Sequence, residues 1–346
     1  MASSELSPPR RGVGRSVLGA GLLAALAFLA ATFVVGRLDA GLLSALAGPW
    51  AVQCWLGLAA TMAAALLLRR WWTAATASLF VLWAGLVVGP TLLPADSGHP
   101  RDAFASPIRV LSMNVNLRNA PDGYSLEWLR SERPDVVAVI EMPHAWADAF
   151  AAMTDEYPYA YARPSDADAK GIGLYSRYPM VDVREETTCA ECQPFVEATL
   201  EHPLGRIRVF AIHPLSPMTD ERTQWRDTEL ATIAERCAAR NVPTIVLGDF
   251  NETPYGGAFR DFLAVSGYSP SRSVEGFSPT WPSSYDHIEV PELLRIPIDH
   301  VVVSPHFATN SFHVGPQIGS DHLPIVAQLG LLNVGDQPRS VTHAEE

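Results

Sequence analysis

Residues 244–254 read Thr-Ile-Val-Leu-Gly-Asp-Phe-Asn-Glu-Thr-Pro, and the fold of the chain turns on how that stretch is read. Thr244, Ile245, Val246 and Leu247 make a short β-branched apolar run of the length of a buried strand. Gly248 then permits a close backbone turn, and Asp249 and Asn251, two residues apart, can aim a carboxylate and an amide at one point. A carboxylate binds a metal or takes a proton from water; an amide holds a phosphate oxygen or a metal without adding charge. The pair suits phosphoester hydrolysis at the mouth of a sheet. By itself Gly-Asp-x-Asn is also an ordinary turn, so the flanking sequence has to decide.

Working outward, residues 108–116, Ile-Arg-Val-Leu-Ser-Met-Asn-Val-Asn, read as a strand whose end presents Asn114. A helix with Leu126, Trp128 and Leu129 follows, closed by Pro134. Residues 135–141 form a second apolar run that ends on Glu141; an acid there is costly to leave unpaired, so a cation or a guanidinium is expected beside it. Residues 171–177 give another strand. Residues 194–200 and 207–212 read as a hairpin around 202–205, its second strand ending on His213. Thr219 starts a helix to about Arg240, with Asp220 and Glu221 suiting the dipole of its first turn. A helix near 257–265 precedes a proline-rich stretch, 269–297, that contains Trp281, Tyr285 and His287 and is longer than structural loops usually are. Residues 298–304 then give a strand with Asp299 at its start, and Gly-Ser-Asp-His-Leu-Pro at 319–324 leads into the last strand, 325–329. Strands and helices alternate with intruding hairpins, which predicts a mixed α/β fold with buried sheets.

Six separate strand ends thus each offer a metal-competent or acid-base group: Asn114, Glu141, His213, Asp249 with Asn251, Asp299, and Asp321 with His322. Histidines and carboxylates scattered at random would fall mostly in surface loops and helices. Five other histidines, His144, His202, His287, His300 and His313, read as surface or packing residues, and Trp281 and Tyr285 as packing in a long loop, with contact to a substrate or lipid as the alternative.

This set resembles the endonuclease/exonuclease/phosphatase superfamily, which includes DNase I-like nucleases, neutral sphingomyelinases and inositol-polyphosphate phosphatases. The resemblance covers roughly residues 108–329 and rests on Gly-Asp-Phe-Asn at 248–251 and Ser-Asp-His at 320–322. It implies a four-layered α/β/β/α sandwich. It also implies roles: Glu141 as principal Mg²⁺ ligand with Asn114 beside it and Asp321 on the metal or close to it, Mn²⁺ being the alternative ion. Asp249 would orient or deprotonate the attacking water, Asn251 would hold a phosphoryl oxygen, and His322 would donate to the phosphate. His213 matches the other catalytic histidine, and Asp299 the carboxylate that orients a histidine. Asn116 stands where many of the nucleases have an aspartate, which puts a second metal-binding arrangement in doubt.

Composition divides the 346-residue chain near residues 94–107. Residues 1–94 read as a membrane anchor with spans at about 17–35, 50–68 and 73–93, the first preceded by Arg10, Arg11 and Arg15 and the second closed by Arg69, Arg70, Trp71 and Trp72. Residues 38–49 read as a short connection, 95–107 as a linker, 108–330 as the catalytic domain and 331–346 as a polar tail. Positive-inside counting sets the arginines in the cytoplasm and the domain outside the cell membrane; a re-entrant middle pair or only two crossing spans would set it inside. The architecture resembles a bacterial membrane-anchored branch that includes actinomycete proteins associated with teicoplanin resistance. A site tethered near the outer leaflet favours a lipid-linked phosphate or pyrophosphate as substrate.

From Arg101 onward lie 19 of the 25 basic and 34 of the 37 acidic residues, and Lys170 is the one lysine of the chain. An acidic excess of this kind weighs against nucleic acid as the partner. Two rivals stay open: an exported nuclease of the same fold, with a groove built from arginines, and a non-catalytic membrane scaffold. Cys189 and Cys192 stand either as a local disulfide or as two free thiols. Oligomeric state is not legible.

Overall fold

The computed structural model describes residues 11–38, 41–94, 107–286 and 288–332. Residues 95–106 of the expected linker, His287 and the polar tail from residue 333 lie outside the described residues. The chain divides into two units, Met1–Pro90 and Thr91–Glu346.

The first unit holds α1 (Arg11–Val35), α2 (Leu42–Ala47), α3 (Ala51–Leu67) and most of α4 (Trp71–Leu92). Three stretches, Ser16–Val35, Leu42–Leu67 and Trp71–Leu92, are long and apolar enough to cross a membrane. The second is longer than the sequence suggested, because residues 42–47, expected in a connection, are helical. Their Leu and Ala residues favour helix, and Pro49 falls in the first positions of the tight turn Gly48–Trp50 that leads into α3, where a missing N–H does no harm. Phe33 and Trp83 meet edge to face at 4.9 Å, and the Trp55 indole donates to the Val81 carbonyl at 3.0 Å. Leu23, Phe28, Leu79, Leu82 and Leu86 stay exposed, so the outside is as apolar as the inside.

In the second unit the elements follow as β1 (Ile108–Asn114), α5 (Gly123–Glu132), β2 (Val136–Ile140), α6 (His144–Ala151), β3 (Tyr159–Arg163), β4 (Ile172–Ser176), β5 (Met180–Glu186), β6 (Phe195–His202) and β7 (Gly205–Ile212). Then come α7 (Asp220–Ala238), β8 (Thr244–Asp249), α8 (Gly257–Ser266), β9 (Ser269–Pro270), β10 (Ser284–Tyr285), β11 (Ile288–Glu289), β12 (Asp299–Val303), β13 (Phe307–Val314) and β14 (Ile325–Leu331). One six-stranded sheet runs β13-β14-β1-β2-β4-β3 and the other β5-β6-β7-β8-β12-β9.

Period-two alternation explains the layers. Val110, Val136, Ala138, Val209, Ile245, Leu247 and Val301 share one core between the sheets. Their neighbours point the other way: Leu111, Val137 and Val139 pack with Leu129 of α5 and Trp146 and Phe150 of α6, while Phe210, Val246 and Val302 pack with Leu230 and Ile233 of α7 and Phe259 and Phe262 of α8. The result is the expected α/β/β/α sandwich. Sequence reading missed β3, β5, β13 and α6. β3 is an edge strand whose residues are all exposed or half-buried, so the apolar signal is absent.

Candidate active site

The same alternation aims the site. Asn114, Asp249 and Asp299 continue the inward-facing positions of their strands, and His213 continues those of β7. β1, β2, β7 and β8 end at this mouth; β12 and β14, antiparallel to β8 and β1, begin there. Asp249 and Asp299 are therefore direct cross-strand partners. Glu141 would face outward by alternation, but its backbone is left-handed, with φ of 53°, and the side chain returns to the cleft. Gly248 is required where it stands: at φ of 150° a Cβ would lie 1.9 Å from the Ile212 carbonyl oxygen of β7.

All eight residues singled out from sequence come together here. The Asn114 amide donates to Glu141 Oε1 and to Asp249 Oδ2, both at 3.1 Å. The backbone N–H of Asn251 donates to Asp249 Oδ1 at 2.8 Å, and its amide donates to the Pro214 carbonyl at 2.9 Å. His213 Nε2 stands 3.7 Å from Glu141 and 3.8 Å from Asp249, with Nδ1 3.2 Å from the Ala169 carbonyl. His322 pairs through Nδ1 with Asp299 Oδ2 at 2.9 Å and holds Nε2 3.7 Å from Asp249. The basic side chain next to Glu141 is the His213 imidazole, and among the described residues no lysine or arginine forms an ion pair with that carboxylate.

Four residues of this network were not assigned to it from sequence. The Thr280 hydroxyl, fully buried, donates to Asp299 Oδ2 at 2.6 Å. The Trp281 indole donates to Asp321 Oδ2 at 3.0 Å, so this residue orients a site carboxylate instead of merely packing. Ser320 donates to the Asn114 carbonyl at 2.7 Å and accepts the His322 N–H, fixing the His322 loop on β1. Asn116 donates to Asp321 Oδ1 at 2.7 Å. An aspartate at 116 would set two carboxylates against each other and call for a cation between them; the amide donates to Asp321 and adds no second charge. The length of the 269–297 stretch was the one sequence signal for Thr280 and Trp281.

Electrostatics divides the roles. Burial pushes the Asp249 carboxyl up to about 6, against the pull of His322 and His213 and with Asp299 adding to the rise. Burial alone would lower His322, but the carboxylates of Asp299 and Asp249 and the Asp299 hydrogen bond outweigh it and raise the imidazole to about 10. Asp321 is also buried, which would raise it, yet His322, Asn116 and Trp281 bring it below the usual carboxylate range.

Asp249, Asp299 and His322 lie close enough to share a metal ion. Their chemistry favours another placement. An imidazole held protonated, with Nδ1 already on Asp299, offers no lone pair. Glu141 fits a hard cation better: its oxygens accept one amide at 3.1 Å and one backbone N–H at 3.5 Å, leaving capacity free beside Asp249 and Asn114. As placed, Asn114 turns its NH₂ to both carboxylates and its oxygen to the Asn116 N–H, so it acts here as a donor to the acids.

The remaining histidines are elsewhere. His300 packs edge-on to Phe250 outside the cleft, and His144 pairs with Asp166 on the surface. Cys189 and Cys192 form a disulfide in the β5–β6 connection.

Residues 111–322 match the Endonuclease/Exonuclease/phosphatase family. No curated protein matches the chain. Similar solved structures include an endonuclease/exonuclease/phosphatase from Beutenbergia cavernae, 24% identical with a TM-score of 0.53, over 66% of this chain and 72% of that one. TDP2 of D. rerio, complexed with a single-strand DNA product, is 16% identical with a TM-score of 0.53 over 65% of this chain and 99% of its own. The 3' phosphatase NExo from Neisseria, bound to a product DNA hairpin, is 19% identical with a TM-score of 0.52 over 64% and 98%. These likenesses are likenesses of fold.

Proposed function

This chain belongs to the endonuclease/exonuclease/phosphatase family, and from that premise we propose that it is a membrane-anchored, Mg²⁺-dependent hydrolase of phosphate ester or diester bonds. Its substrate in this reading is a lipid-linked phosphate or pyrophosphate at the outer face of the cell membrane. One observation carries the reading: Asp249 and His322, 3.7 Å apart in a buried cleft, both have raised proton affinities, the carboxyl to about 6 and the imidazole to about 10. A base near 6 and an acid near 10 are what in-line attack by water on a phosphoryl group asks of its side chains.

Asp249, held by the Asn251 N–H and the Asn114 amide, takes the proton of the attacking water. Asn251 has one amide hydrogen on Pro214 and presents the other to a phosphoryl oxygen. His322 donates from Nε2 to a second oxygen, with Asp299 and Thr280 fixing the ring. His213 lines the same cleft, its Nε2 facing Glu141 and Asp249. A divalent cation held by Glu141, with Asp321 and Asn114 near, would neutralise phosphate charge and orient the group when bound; Mn²⁺ would serve in its place.

Three observations support the membrane and lipid parts. Three helices are long and apolar enough to cross a bilayer. The disulfide suits an oxidising, exported compartment. An acidic domain with one lysine is poorly suited to holding a polyanion. The three apolar helices also support the likeness to the teicoplanin-resistance membrane branch.

The test is phosphate or headgroup release by the full chain in detergent, with Mg²⁺, Mn²⁺ or EDTA, from lipid pyrophosphates, phospholipids, sphingomyelin and duplex DNA, with Asp249→Ala as control. Metal-dependent turnover of one lipid class, lost in the variant, is the expected result. Turnover of DNA at an equal rate would replace this reading with an exported nuclease, and inactivity across the panel with a scaffold.

A further inference from the structure

The stretch that supplies Thr280 and Trp281 also carries four exposed large apolar side chains. Tyr285 and Ile288 are cross-strand partners in the β10–β11 hairpin, so they lie side by side on one face, and they are 79% and 72% exposed. Leu293 and Leu294 follow in the next turn, also more than half exposed. Arg295 ties that turn to the hairpin, donating to Glu289 at 2.8 Å and to the Val290 carbonyl at 2.7 Å, which also neutralises the one acid of β11. Exposed apolar groups scattered singly mean little, but four gathered on one projection mark a docking surface.

The base of this projection is built into the catalytic loop. The Ser283 N–H donates to the Asp321 carbonyl at 2.7 Å, the Ser283 hydroxyl to the Ser320 carbonyl at 3.0 Å, and Gln317 bridges to Ser283 and Ser284. Whatever the tip binds is thus held at a fixed distance from His322.

We propose that residues 284–294 dock on the bilayer surface, the tyrosine and aliphatic side chains entering the headgroup boundary. The occupant follows from the chain itself. The 12 residues between Pro94 and Pro107 reach at most about 40 Å, so the domain cannot leave the membrane that the helices of the first unit would span. Tyrosine and aliphatic side chains partition to that boundary; Glu289 is paired with Arg295, while Asp286 and Glu292 are exposed acids beside them that anionic lipid would repel. The docked tip would set the cleft at headgroup height, which gives the lipid-linked reading above a physical route for the substrate. The docking itself stands without that reading.

The experiment reconstitutes the full chain in vesicles of phosphatidylethanolamine and phosphatidylglycerol and reads nitroxide depth. Labels go at Tyr285→Cys, Ile288→Cys and, as control, Leu204→Cys in the β6–β7 turn, at the end of the strands opposite His213. Cys54 and Cys237 are buried and set the background. Relaxation at 285 and 288 dominated by oxygen, with 204 dominated by a water-soluble nickel chelate, supports the docking; equal nickel access at all three sites overturns it. A Tyr285→Ser, Ile288→Ser double variant tests the link to the substrate. Loss of about tenfold or more against lipid-embedded substrate, with turnover of a water-soluble phosphodiester retained, is expected from removing two large apolar side chains from the boundary. Equal loss on both would refute a docking role even where the protein is an active phosphoesterase.

Discussion

Glu229 of α7 is fully buried, and neither of its carboxyl oxygens has a hydrogen-bond partner among the described residues. Burial pushes this carboxyl from 4.5 up to about 8. Below pH 4.5 the group is protonated in both the folded and the unfolded chain and its titration contributes nothing. Above that, the unfolded chain releases a proton that the folded chain keeps, so stability falls as pH rises, until the folded group also ionises near pH 8. At about 1.4 kcal/mol per pH unit the loss is roughly 3 kcal/mol at pH 7 and approaches about 5 kcal/mol above pH 8. Glu229→Gln keeps the shape and removes the titration. Its stability relative to the wild type should therefore rise by those amounts between pH 4.5 and 8, equivalent at pH 7 to roughly 6 to 12 °C in the domain's transition. Thermal unfolding of the full chain in detergent, followed by tryptophan fluorescence at several pH values, measures it. A stability difference that does not change with pH would show that Glu229 has a partner or water access in solution, and the reasoning from burial would fail.

Asp299→Asn removes the largest of the attractions that keep His322 charged, so the imidazole falls below about 10 and the alkaline limb of the rate profile moves down with it. A loss of about 10²–10³ in kcat/KM at pH 8 is expected, read from pH profiles of both proteins; an unmoved alkaline limb would remove His322 from the acid role. Gly248→Ala forces a Cβ into the Ile212 carbonyl, and about 2–5 kcal/mol of stability should be lost, seen as a lowered denaturation midpoint. Mg²⁺ should raise the melting temperature of the EDTA-treated wild type by mass action, and Glu141→Gln should lose that shift. If the variant keeps it, the cation sits elsewhere, with the Asp249, Asp299 and His322 group the next candidate.

Much of the catalytic domain was legible because its strands are short apolar runs that stop abruptly on a polar residue. β8 ends on Asp249 and β7 leads to His213, and each break shows in the sequence as the point where burial of apolar side chains gives way to chemistry. The missed elements lack that contrast. β3 and β5 lie at sheet edges with few buried side chains, and α6 is only eight residues long. Residues 42–47 were misread for another reason: Arg37 and Asp39 just before them mark a connection, yet leucine and alanine carry a helix there and a proline in a first turn lets the helical path continue.

The sequence by itself determined which residue types stand at the strand ends, the division into an apolar N-terminal part and an acidic domain, and the presence of Asp249, Asn251 and His322 in motifs specific enough to name a family. Only the tertiary structure decided how they act on one another. Thr280 meets Asp299 across 19 residues and Trp281 meets Asp321 across 40, in a loop with no periodic signal to place it. The left-handed backbone at Glu141 turns back a side chain that alternation would have sent outward. The raised carboxyl of Asp249 comes from burial between the two sheets, and the raised imidazole of His322 from the Asp299 and Asp249 carboxylates that packing sets beside it. Periodicity is a local property that a strand writes into its own sequence, whereas burial and charge coupling belong to the space between segments and are set only when the layers pack.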